Sequence, residues 1–257
     1  MTTISASQVK ELREKTGLGL MDCKKALEEA NGDLDLAIEE LRKTSGLKAS
    51  KKSGRSAADG LIAIKSNGKD YFMIEVNCET DFVARDDSYI KFTNETLNTF
   101  VDNSDKSLED LLAEGIEENR EKLVQKLGEN IVVRRVAKTE NSTITGSYLH
   151  SNNKIGCIIS LEGGSEALAN DIAMHVAATD PMAVSPNDIP EDVIAKEREI
   201  FKAQSEDSGK PPEIVEKMIE GKVSKFLSEV SLTEQDFVKD PNQKISKLLD
   251  DNSANIL

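Results

Sequence analysis

Three carboxylates close together in sequence, Asp59, Glu79 and Asp81, two histidines, His150 and His175, and three cysteines, Cys23, Cys78 and Cys157, are the side chains with which this chain could do chemistry. A carboxylate pair can serve as general acid and base, but 47 Asp and Glu in 257 residues make close spacing a matter of chance. His175 sits between Met174 and Val176 in a helical pattern, the place of a hydrogen-bonded structural histidine rather than of a base. The thiols are isolated and odd in number, with no C-x-x-C pair. Neither a disulfide framework nor a zinc site is expected, and each thiol falls at an apolar position where it packs, which suits a reducing compartment. There is no G-x-x-x-x-G-K-[ST] and no G-x-G-x-x-G, so no loop is built to cradle a nucleotide phosphate. No cofactor and no metal are expected, and binding is the better class than catalysis.

The stretch best suited to binding is Cys78-Glu79-Thr80-Asp81-Phe82-Val83-Ala84-Arg85, which sets a carboxylate beside a large aromatic ring. Before it, Phe72, Ile74, Val76 and Cys78 alternate with Tyr71, Met73, Glu75 and Asn77, the period of a half-buried strand. After it, Tyr89, Phe92, Thr93, Thr96, Leu97 and Phe100 recur at helical spacing. Asp81 and Phe82 therefore fall at a strand-to-helix turn. Two readings remain open from spacing: Asp81 caps the next helix and Phe82 folds onto the core, or the turn presents both outward.

The rest of the chain reads as an α+β protein. Three short helices occupy residues 1–45. Ser5 and Gln8 form a capping box flanked by an Ile4/Val9 staple, and Gly17 ends the first helix. Cys23, Ala26, Leu27 and Ala30 line the second up to Asn31-Gly32, and Asp33 caps the third, which buries Leu34, Ala37, Ile38 and Leu41. Arg42, Lys43, Lys48, Lys51, Lys52 and Arg55, among Ser and Gly, form a basic run that reads as solvated and leads through a linker over 46–56, with RNA contact as the alternative. With no aromatic in the run, base stacking is not indicated. A first core unit, 57–140, has strands Leu61 to Lys65 and Tyr71 to Cys78 about Asn67-Gly68, helices Tyr89 to Val101 and Leu108 to Leu127, and a strand Ile131 to Val136 released by Gly128. A second, 141–185 with 229–257, has strands Gly146 to His150 and Ile155 to Leu161 and a helix Ser165 to Ala178. Phe237, Val238 and Leu248 return to its core. Residues 186–228 form an inserted antiparallel helical hairpin. Its helices are separated by Ser208-Gly209-Lys210-Pro211-Pro212, and Val215, Met218, Ile219, Val223, Phe226, Leu227 and Val230 fall at coiled-coil spacing.

Lys and Arg number 33 against 47 Asp and Glu, a net charge of -14. Residues 1–55 hold 11 Lys and Arg against 9 Asp and Glu, and the remainder 22 against 38. Such a chain repels a phosphate backbone, so nucleic acid is not the expected ligand and a protein partner with basic patches is. The N-terminus lacks a signal-peptide apolar run and no stretch approaches a membrane span; a soluble, cytoplasmic protein is expected.

The eight residues 78–85 resemble the most recognisable motif of the elongation factor Ts family. The run from Val9 to Leu27 is similar to that family's opening segment, and Gly128-Glu129-Asn130-Ile131, Arg134-Arg135-Val136, Gly146-Ser147-Tyr148 and Met174-His175-Val176-Ala177-Ala178 follow in the family's order. The resemblance implies a ubiquitin-associated-like (UBA-like) docking bundle and a non-enzymatic guanine-nucleotide exchange factor that binds elongation factor Tu with GDP and promotes GDP release. It implies that Thr80, Asp81, Phe82 and Val83 act at the partner's Mg²⁺ region, with Phe82 as a wedge. It further implies partner contacts for Arg13, Leu20, Met21, Leu127 and His150, and a homodimer through the hairpin within a 2:2 complex. Each contact residue has a plainer reading: Arg13 a solvated helix face, Leu20 and Met21 closing the bundle core, Leu127 a helix-end staple, His150 an exposed strand end. Family members usually continue past a position like Leu257 with a further strand and helix, so a modestly lower affinity than a longer relative's is expected. An adaptor using residues 1–45 alone, or a scaffold dimerising through the hairpin, are the alternatives.

Overall fold

Ser5 and Gln8 cap the first helix from both sides: the Gln8 backbone N–H donates to Ser5 Oγ at 3.2 Å, and the Ser5 N–H donates to Gln8 Oε1 at 3.0 Å. In the computed structural model, which describes residues 4–139, 144–205 and 211–257, the helix is α1 (Ala6–Thr16), ended by Gly17 at φ 69°. It is followed by α2 (Leu20–Glu29) and α3 (Leu34–Lys52), with Asp33 accepting from the N–H groups of Asp35 and Leu36. Val9, Leu12, Leu18, Cys23, Ala26, Leu27, Ala37 and Leu41 make the core of this bundle.

The basic linker is corrected here. Helix α3 runs on to Lys52, and Ser45 and Ala49 are 2% and 1% exposed. Leu41, Ser45 and Ala49 form a stripe at intervals of four whose last two members are small, so α3 lies close against α7 (Glu117–Leu127). Ser45 Oγ meets Gln125 Oε1, and Arg42 pairs with Glu118 at 2.7 Å. Ala49 belongs to the same apolar cluster as Phe72 and Tyr89. The bundle is thus part of the first unit and not a module on a tether; stretches 1–68, 72–138 and 152–154 cluster together.

That unit's sheet has the order β1 (Asp59–Ser66), β2 (Tyr71–Cys78), β3 (Val132–Lys138). Phe72, Ile74, Val76 and Cys78 face the core, each at most 1% exposed, as their alternation requires. Strands β2 and β3 are antiparallel, with Ile74 opposite Val136 and a register shift between Glu75 and Val76. A single turn, α4 (Asp81–Ala84), leads into α5 (Asp87–Asp102), whose Tyr89, Phe92, Thr93, Thr96, Leu97 and Phe100 are all buried. The helix expected over 108–127 is interrupted. It comprises α6 (Leu108–Leu111), a π turn at Leu112–Ile116 and α7, because Gly115 takes φ 125°, which a residue with a Cβ adopts only under strain.

The second unit comprises residues 69–71, 139–151 and 155–257, and the expected boundary at 140/141 lies outside the described residues. Antiparallel β4 (Ile144–Leu149) and β5 (Gly156–Glu162) are joined by β8 (Asn255–Ile256), with Leu161 opposite Ile256. Helix α8 (Glu166–Thr179), capped by Ser165, covers this sheet. Leu161, Ala169, Ile172, Leu232, Phe237, Ile245 and Leu249 complete the core, the last two from α11 (Ile245–Asp251) after a short β6–β7 pair (Asp236–Phe237, Asp240–Lys244). Of the residues expected to return to this core, Phe237 is buried and Leu248 packs against it, whereas Val238 is 41% exposed. Helices α9 (Glu191–Ala203) and α10 (Pro212–Val230) pack on each other and are tied by Arg198 to Glu216 and Glu220. At their base the Met182 N–H donates to Val230 O at 2.8 Å and the Leu232 N–H to Ala183 O at 2.9 Å. The first three residues of the expected turn, Ser208-Gly209-Lys210, lie outside the described residues.

His175 is fully buried. The Val238 N–H donates to its Nδ1 at 3.3 Å, so Nε2 carries the proton and faces Gln235 Oε1 at 2.9 Å. Desolvation lowers its pKa from 6.5, the hydrogen bond to Gln235 opposing this. Because the unfolded chain binds the proton more readily, the stabilisation from neutral His175 is complete above about pH 6.5 and is lost as pH falls through that value toward the lower folded pKa. Thermal melts should therefore show the protein losing stability between about pH 7 and 5.5. A His175→Gln protein, which has nothing to titrate there, should lose less over the same interval.

Candidate functional site

Thr80 ends the strand segment in extended conformation and caps α4: its Oγ1 accepts from the Val83 N–H at 3.4 Å. Val83 and Ala84 turn inward and are buried beside Cys78 and Tyr89. Successive side chains on a helical turn are about 100° apart, so Asp81 and Phe82 take its outer side. Phe82 is 81% exposed, the most exposed large apolar side chain among the described residues. Asp81 Oδ2 accepts from Arg85 Nη2 at 2.8 Å. The cap-and-core reading of these two residues is thereby corrected. The cap of α5 is Asp86, which accepts from the Ser88 N–H at 2.8 Å, and hydrogen bonding from Ser88 holds its carboxyl below the usual range.

The ground beneath the turn is firm. Tyr89 is fully buried and donates from its hydroxyl to Val76 O at 2.6 Å. The Cys78 thiol, pushed up to about 11 chiefly by burial, contacts Thr80 O at 3.2 Å and is a packing group, not a nucleophile. From the far end of the unit's sequence, Gly128 closes α7 at φ 84° and turns the chain so that Glu129 reaches the motif. Glu129 Oε2 accepts from the N–H groups of Glu79 and Thr80 at 3.0 and 2.9 Å, and its Oε1 accepts from Thr80 Oγ1 at 2.6 Å. In return, Glu79 Oε1 accepts from the Asn130 N–H at 2.7 Å. The sequence marks residues 128–131 as a block of resemblance, with Gly128 as a helix end and Ile131 as a strand start, and the brace is not among the expectations drawn from it. An acidic residue directly after a helix-ending glycine was the available signal.

The remaining expected contacts divide. Leu20 and Met21, on the first turn of α2, are 54% and 70% exposed, which overturns the plainer idea that they close the bundle; Leu18 does that, at 3%. Arg13 is exposed on α1. Leu127 is half-buried against the first core, two residues before the brace. His150 is exposed at the end of β4 in the second unit, where its N–H donates to Ile155 O at 2.9 Å and its ring lies edge-on to Tyr148. Among the described residues there is no group of three or more His, Cys, Asp and Glu that could hold a metal ion, and no helix is long and apolar enough to cross a membrane.

The motif thus holds an aromatic ring in solvent on a turn whose entry is fixed by three hydrogen bonds to the Glu129 carboxylate. The elongation factor TS family model matches residues 79–257. The chain is 52% identical to the elongation factor Ts of Hahella chejuensis over 259 residues, covering all of this chain and 90% of that protein. It is 53% identical to that of Marinobacter nauticus over 251 residues, 97% and 86% of the two chains, and 50% identical to that of Francisella tularensis subsp. novicida over 263 residues, 100% and 90%. The chain belongs to the elongation factor Ts family. Similarity along its whole length does not favour an adaptor built on residues 1–45 or a hairpin scaffold.

Proposed function

We propose that this protein is the guanine-nucleotide exchange factor of elongation factor Tu: it binds the GDP form and promotes GDP release, so that GTP can enter. The observation that carries this reading is the exposed Phe82 on its braced turn. Phe82 wedges into the partner's nucleotide-binding domain. Asp81, beside it and paired with Arg85 at 2.8 Å, approaches the Mg²⁺ region. Because Mg²⁺ bridges phosphate and protein, disturbing its ligands removes much of what holds the nucleotide. Coupling of this kind is reciprocal: what the factor costs in GDP affinity, GDP costs in factor affinity. No chemical step is involved, and no group here needs to transfer a proton or form a bond.

Leu20 and Met21, too exposed to serve the bundle core, dock with Arg13 on the partner. Leu127 and His150 add further contacts. The bundle is UBA-like, the α9–α10 pair is a short coiled coil, and through it two copies can meet in a 2:2 assembly with elongation factor Tu in the cytoplasm. Release of a fluorescent GDP from elongation factor Tu, timed with and without the chain, tests the proposal: a large acceleration is expected, and an unchanged rate at saturating chain would end it.

A further inference from the structure

Glu129 lies 49 residues beyond Thr80 in the chain, yet three donors at the entry to the turn end on its carboxylate: the backbone N–H groups of Glu79 and Thr80 on Oε2, and the Thr80 hydroxyl on Oε1. The hydroxyl is held twice, because the same Oγ1 accepts from the Val83 N–H and so caps α4. One side chain thus sets both the backbone entering the turn and the cap that starts it. Hydrogen bonds to an ionised acceptor are the strong and directional kind, and a single helical turn, closed by the Ala84 N–H donating to Thr80 O at 3.2 Å, has little ladder of its own to fix its direction.

The arrangement is reciprocal. Glu79 Oε1 accepts from the Asn130 N–H, while Arg55 Nη1 lies 3.5 Å from the same oxygen. Asn130, 2% exposed, donates from Nδ2 to the carbonyls of Ser53 and Arg55 at 3.4 and 2.9 Å. The segment after Gly128 is therefore anchored on its far side before Glu129 reaches across. Burial of Val83 and Ala84 holds the inner side of the turn in the core, and the clamp fixes the entry to its outer side, where Phe82 stands.

We propose that Glu129 is a positioning residue for exchange: it acts through Thr80 to hold Phe82 at the angle at which the ring enters the partner, and itself touches neither partner nor nucleotide. This rests on the wedge role assigned to Phe82 above. The pre-set angle spares the ordering cost that a mobile turn would incur on binding.

GDP release from elongation factor Tu, measured as kcat/KM with the full chain, tests it through four variants. Glu129→Ala should slow release by about tenfold or more, the scale of one charge-assisted hydrogen bond. Glu129→Gln should stay within about twofold of the parent, because the amide oxygen can accept both backbone N–H groups while its NH₂ donates to Thr80 Oγ1. The decisive comparison is Phe82→Ala with Phe82→Ala/Glu129→Ala: with no ring to position, the second change should cost nothing further. A Glu129→Ala defect of equal size in both backgrounds, or none in the parent background while Phe82→Ala is slow, overturns the proposal and leaves the wedge standing. A Phe82→Ala protein that exchanges at the parental rate overturns the wedge and the proposal with it. Should Glu129→Ala not fold, Glu129→Asp takes its place, its carboxylate one methylene short of the Glu79 and Thr80 donors: it should slow release in the parent background and not in the Phe82→Ala background, and equal effects in the two reject the assignment.

Discussion

Replacing Phe82 with alanine should leave the thermal melt nearly where it was and slow GDP release from elongation factor Tu by roughly 30- to 1,000-fold. The first half follows from burial. A side chain 81% exposed has little buried area to lose, so stability should move by no more than about 0.5 kcal/mol. The second half follows from what a central aromatic anchor contributes to an interface, about 2–4 kcal/mol. Asp81→Ala should show a smaller defect of the same kind, since Arg85 already neutralises part of its charge. A Phe82→Ala protein that melts far below the parent, while its folded fraction exchanges at the parental rate, would make Phe82 a structural residue and the turn only a turn.

Phe72→Ala should behave in the opposite way. Phe72 is 1% exposed and meets Phe100 edge-on, with centroids 5.4 Å apart and planes at 85°. Its removal takes away apolar burial and leaves a cavity, together about 3–5 kcal/mol. For a unit of this size the melting temperature should fall by about 10 °C. Exchange should decline only with the folded fraction, and a rate per folded molecule below the parental value would show that the strand transmits its strain to the turn. The two phenylalanines are ten positions apart, and the melting curve and the exchange rate together tell them apart.

Much of this fold is visible along the chain because its causes are local. The Ser5/Gln8 box, the Asp33 cap, the alternation of Phe72 to Cys78 and the buried stripe of α5 each depend on residues within a few positions of one another. The interruption at Gly115 was less visible. A lone glycine in a helical pattern is compatible with either an unbroken helix or a break, and the backbone angle decides between them. The docked end of α3 was read as linker because its contact stripe is made of serine and alanine, which carry little hydropathy; what they offer is closeness, and that has value only where another helix is waiting.

By itself the sequence determined the class of the protein, the order of its elements and the strand-to-helix turn that sets a carboxylate beside an aromatic ring, since residue types and short-range periods are properties of the chain. Two readings of that stretch survived, and only the tertiary structure chose between them. Phe82 faces outward because Val83 and Ala84 claim the core, and it is held there because Glu129, 49 residues beyond Thr80, arrives to accept three hydrogen bonds. Contacts across such separations leave no period in the sequence, because they are made only when the intervening helices have packed.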